Sequence, residues 1–126
     1  ILFLDGEYEG NSGSSKTLGI AYGSSSIVIF ENTIRSYSGG VGQPKTEVLE
    51  TTVIDHELGH LLGLVNNGTD MQINHQDISH ANHCNNNSCL MYYLTETSDV
   101  ISNLIGNDIP ELDNNCIADL RANDGK

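Results

Sequence analysis

The chain has 126 residues, 37% of them hydrophobic, and carries 17 acidic against 5 basic side chains, a formal net charge of -12. That length suits one domain with its own core, and no apolar run approaches the roughly 18 residues of a membrane helix. A nucleic-acid partner is not expected, because phosphate contacts need clustered Lys and Arg.

In chain order, "ILFLD" and "LGIAY" read as short strands, and "SIVIFENTI" as the strongest strand, rich in Ile and Val. Between them, residues 11–15 and 23–26 are turn-like in composition. A glycine-rich loop, "SYSGGVGQP", ends at Pro44, and a helix is predicted from Thr46 through "EVLETTVIDHELGHLLGLV". Thr46 suits an N-cap, and Glu47 and Glu50 complement the helix dipole. At about 100° per residue, with His56 at zero, His60 lies about 40° away and Glu57 about 100°. Ile54, Leu58, Leu61 and Val65 fall at about 140–200°, which predicts an apolar core face opposite the histidines. Gly63 is where the helix could turn sharply. Residues 66–90 are polar and aperiodic, and a loop of that length in a small domain is usually functional or metal-tied. "CLMYYL" reads as a short apolar turn, and "TSDVISNLIG" and "IPELDNNCIADLRAN" as helices, with Pro110 in a first turn and Gly125 as a stop. Neither an internal repeat nor a low-complexity linker is visible.

Charge and reactive side chains are unevenly placed. The basic residues are Lys16, Arg35, Lys45, Arg121 and Lys126, so residues 46–120 hold none. The negative field of that stretch favours cations, although acidity also serves solubility. All five histidines lie between residues 56 and 83, next to Cys84 and Cys89. With Cys116 the cysteines number three, so they cannot all pair internally.

The specific signal is His56-Glu57-Leu58-Gly59-His60. Histidines at i and i+4 can present both imidazoles to one Zn²⁺. The intervening Glu57 can then take a proton from a water polarised by the metal as that water attacks a carbonyl. The competing reading is a helix that merely carries two surface histidines and an acid.

"HELGHLLG", residues 56–63, resembles the metzincin zinc peptidases, whose pattern continues to a third histidine and a later Met-turn. Asn66 stands where that histidine would be, and a neutral amide is a poor zinc ligand. Further on, "HCNNNSCLMYY", residues 83–93, is similar to the archaemetzincin segment that begins with the third histidine and ends in the Met-turn. The resemblance therefore implies an insertion after Gly63, with His83 returning as third ligand; His75, His80 and Asp70 are the alternatives. It implies Met91 as the apolar floor of the site, Tyr93 as a candidate oxyanion stabiliser, and "SIVIF" as the edge strand along which a peptide lies. Archaemetzincins hold a second, structural zinc on four cysteines. Here Cys84, Cys89 and Cys116, with Asp119 in place of a fourth, either form such a site or leave one disulfide and one free thiol.

The resemblance thus implies an α+β fold: one metzincin-like catalytic domain over residues 1–126, with a short twisted sheet over the active-site helix and C-terminal helices. The family's first strand and helix are not visible, so the N-terminal part is expected to be trimmed or reduced. The implied activity is zinc-dependent endopeptidase action on an extended peptide, with His56, His60 and His83 on the metal and Glu57 as general base. Two rivals remain: a metal-binding or adhesion module that no longer cleaves, and a gluzincin with Glu96 or Glu111 as third ligand. Peptidase function, acidity and a start without Met suggest a secreted, periplasmic or surface protein, whereas the cysteine usage would allow a reducing cytoplasm.

Overall fold

The computed structural model describes residues 1–104 and 106–123. The three apolar segments form one sheet in the order β1-β3-β2, from β1 (Leu2–Leu4), β2 (Gly19–Tyr22) and β3 (Ser26–Phe30). β3 pairs parallel with β1, Leu2 opposite Val28, and antiparallel with β2, Gly19 opposite Ile29. "SIVIF" is therefore the central strand, not an edge; its continuous Ile/Val run suits a strand paired on both sides. The strand also stops earlier than its composition predicts, because residues Glu31–Ser36 turn into helix α1, steadied by an Arg35–Glu31 ion pair of 2.7 Å.

The long helix α2 spans Thr46–Leu61. Lys45, not Thr46, occupies its N-cap, and the Thr46 hydroxyl instead accepts a hydrogen bond from Ser38. Leu49 and Val53 pack with Leu18, Ile27, Ile29 and Ile34, and the helix contacts β2 and β3. Each such buried aliphatic side chain contributes about 1.5–3 kcal/mol. Close approach of β2 depends on Gly19, where a Cβ would stand 2.6 Å from Val53 Cγ1.

The buried side of α2 is not the predicted one. Leu58 is 44% exposed and Ile54 and Leu61 are only partly buried, whereas His56, Glu57 and Gly59 are interior. The helix is sandwiched: the sheet covers one flank, and a second apolar cluster of Leu64, Val65, Cys84, Cys89, Met91 and Cys116 covers another. The polar histidine face thus lies between two cores, an arrangement no single-helix projection contains.

The helix ends at Leu61, not Val65. Gly63 takes a left-handed φ of 78°, and its carbonyl accepts from the amides of Asn67 and Thr69. Val65 and Asn66 follow with positive φ of 53° and 64°. Residues 66–90 contain no helix or strand beyond an isolated bridge between Gln76 and Cys84. The apolar "CLMYYL" segment does turn, with the Tyr92 amide bonded to the Cys89 carbonyl. It leads into a 3₁₀ segment at Tyr93–Glu96 and a second at Ser98–Asn103, the latter where a regular helix is predicted from the sequence. Helix α3 covers only Asn114–Ala122; Asp113 caps it through the amides of Asn115 and Cys116, and Pro110 lies before it in extended chain. The expected stop at Gly125 lies outside the described residues. The α+β class holds, and no described helix is long and apolar enough to cross a membrane.

Gly63→Ala tests the turn that ends α2. A Cβ there would meet the Thr69 amide nitrogen at 2.9 Å, and a left-handed alanine adds about 1 kcal/mol. Denaturant unfolding is expected to show a loss of at least about 1 kcal/mol; an unchanged midpoint would refute the turn's role.

Candidate metal centre

Helix α2 presents His56 and His60 one turn apart on the same side. His56 Nδ1 donates to the Leu90 carbonyl at 2.7 Å, which leaves Nε2 bare and aimed at His60 Nε2, 3.1 Å away. The long loop brings His83 to the same point: its ring stacks on His56 at 5.3 Å and meets His60 edge-on at 4.9 Å. His83 Nδ1 donates to the Ala81 carbonyl at 3.0 Å, so its Nε2 is also bare. One ligand atom from each of His56, His60, His83 and Glu96 lies within 4.8 Å of the others. Burial, with His60 beside it, lowers the pKa of His56 to about 3; burial and His83 lower that of His60 to about 4. Neutral imidazole is the form that binds metal.

Glu57 lies buried beside this set, against β2. Neither carboxylate oxygen has a hydrogen-bond partner. Burial, then the charge of Glu96, pushes its pKa up to about 8, and the facing Ala21 amide offsets only part of this. For Glu96, burial acts upward but is outweighed by His83, His56 and His60, and the pKa falls below its usual value. The cleft of about 300 Å³ is lined by Ile20, Ala21, Glu57, His60, His83 and Glu96 among others. His83 Nε2 is likewise buried without a hydrogen bond. Three imidazoles and the Glu96 carboxylate, with ligand atoms within 4.8 Å of one another, fit a divalent cation.

Met91 is fully buried beneath α2. A Cβ on Gly59 would come within 2.3 Å of its sulfur, so the glycine admits the thioether directly under the helix. The Met91 carbonyl accepts from the Cys84 amide at 2.8 Å. One turn thus carries Met91 and, through Leu90, the acceptor that orients His56.

A second group forms next door. His75, Cys84, Asp113 and Cys116 bring ligand atoms within 4.8 Å of one another, another set that could hold a metal ion. Cys89 adjoins it, with its sulfur 3.6 Å from that of Cys116, and all three cysteines are buried and unbridged. The hydrogen bond between the two sulfurs favours ionisation of Cys89 and holds the Cys116 thiol protonated. His75 Nδ1 is 3.4 Å from Cys84 Sγ, and its Nε2 is 2.8 Å from Asp119 Oδ2. Asp119, expected among the sulfurs, instead holds His75 and accepts from the Gln72 amide. The sequence reading missed His75 and Asp113 here; the only signal was the crowding of histidines just before Cys84.

The remaining candidates sit elsewhere. His80 stacks flat on Tyr93 with ring centroids 3.5 Å apart, and its Nδ1 is 3.2 Å from Asp77. Asp70 and Asn66 are exposed. The acid that joins the three histidines is Glu96, singled out in sequence only as a rival third ligand.

No known protein family, characterised protein or solved structure matches this chain. The two groups predict that the reduced protein binds two zinc equivalents in calorimetric titration. His60→Ala should remove one equivalent and Cys84→Ser the other; a single equivalent lost in both variants would contradict two separate centres.

Proposed function

We propose that the chain is a zinc-dependent endopeptidase of the metzincin type. The observation that carries this reading is the convergence of His56, His60 and His83, two of which, His60 and His83, line one cleft with Glu57. Zinc held by the three histidines would supply the Lewis acid that polarises the scissile carbonyl and the attacking water. Glu57 accepts the proton of that water and passes it to the departing amide nitrogen. Its buried position keeps bulk water from competing for the carboxylate.

Substrate is held by strand addition. β2 pairs with β3 on one side, and its residues Ile20 and Ala21 line the cleft. An extended peptide laid along β2 would bring its carbonyl past Glu57, with main-chain hydrogen bonds providing affinity. β2 takes the role that the sequence resemblance gave to "SIVIF". Met91 sets the depth of the metal floor. Tyr93 would have to leave its stack on His80 to reach an oxyanion.

The second group we assign to a structural zinc on His75, Cys84, Cys89 and Cys116. Asp113 is already engaged as the cap of α3 and as acceptor for Asn86. The Asp119–His75 bond is the carboxylate–histidine arrangement that orients a metal-ligating imidazole. The rival reading, a metal-binding module that does not cleave, draws on Glu96 filling the histidine set with a fourth donor.

Glu57→Gln separates the two. Peptide-library turnover is expected to fall by about 10²–10⁴ while zinc binding is kept. No hydrolysis by either wild type or variant, with zinc bound in both, would remove the enzyme reading.

A further inference from the structure

The carboxylate of Glu96 has no role in the mechanism above. Its Oε2 lies 3.7 Å from His83 Nε2, and among the described residues His83 is its only ion-pair partner. Residues 46–120 contain no Lys or Arg to serve instead. His83 Nδ1 bonds the Ala81 carbonyl, while its Nε2 is buried without a hydrogen bond and faces Glu96. With His56 and His60, these two groups bring four ligand atoms within 4.8 Å of one another, a set that could hold a cation.

The spacing agrees. Ligands about 2.0–2.2 Å from a tetrahedral zinc stand about 3.3–3.6 Å apart. His56 Nε2 and His60 Nε2 are separated by 3.1 Å and His83 Nε2 and Glu96 Oε2 by 3.7 Å, just below and just above that span, so small side-chain shifts would bring both pairs onto a tetrahedron's edges. The backbone that carries Glu96 is fixed: its carbonyl accepts from the Leu18 amide at 2.8 Å, and the Ser98 amide bonds the Lys16 carbonyl at 2.7 Å. The 3₁₀ segment is therefore tied to the chain entering β2, and Glu96 is held at the centre rather than trailing from a loose loop.

We propose that Glu96 is a fourth protein ligand of the His56/His60/His83 centre, so that the resting site is closed by side chains alone. This rests on the metal centre of the peptidase reading and adds its regulation: water or a substrate carbonyl gains the metal only when the carboxylate is displaced. The side chain is 32% exposed at the cleft, which leaves it room to swing out.

The test is a crystal structure of the zinc-loaded wild-type protein, together with chelator-competition binding to wild type and Glu96→Gln. The imidazole NMR signals of His56, His60 and His83, assigned separately from that of His75, would report the filling of this centre apart from the sulfur group. Expected are a Glu96 oxygen within about 2.2 Å of the zinc and a loss of at least about tenfold in zinc affinity in the variant. A water in the fourth position, or an unchanged affinity in Glu96→Gln, overturns the proposal and leaves the peptidase reading intact. Zinc absent from the three histidines of the wild type overturns both.

Discussion

The hydrogen bond from His56 Nδ1 to the Leu90 carbonyl, 2.7 Å long and fully buried, is the contact on which the rest depends. It fastens the last turns of α2 to the 89–91 turn. It also fixes the imidazole tautomer, because a carbonyl can only accept, and so leaves Nε2 free for a ligand. The same turn places Met91 under Gly59 and passes Cys84 and Cys89 to the sulfur group. Loss of this one bond would loosen helix, floor and both candidate centres together.

The two groups share their chain. His83 and Cys84 are neighbours, as are Leu90 and Cys89, so a displacement of one centre is felt by the other within a single residue. The loop after Gly63 has little apolar material of its own. Its order comes from Asp119 holding His75 and Gln72, and from backbone bonds such as Asn85 to His75 and Asp77 to His83. Metal in the sulfur group would stiffen the loop that delivers His83, since a ligand that binds only the folded arrangement stabilises it.

Electrostatics favour the same outcome. Glu57 and Glu96 stand beside three imidazoles with no cationic side chain from residues 46–120 to offset them. Leaving carboxylates buried and unpaired is costly, and Glu57 answers by holding its proton more tightly. A divalent ion would reverse that logic and restore the carboxylate as a base.

The sequence by itself determined the strands, the long helix and the two histidines with their glutamate, because these follow from local apolar composition and from i, i+4 spacing along a helix. The resemblance of residues 83–93 to a family segment also singled out His83 and Met91. The sequence placed the helix's interior on the wrong side, since burial of His56 and Glu57 comes from being covered on two flanks. Strand order and the separation of His75 from His80 were equally out of reach, as they depend on which segments meet in space: β1 with β3, and His75 with Asp119. Only the tertiary structure brought Glu96 to the histidines and Asp119 to His75. Carboxylates are common in this chain, and nothing in local sequence distinguishes the one that is carried to a buried centre from those left in water.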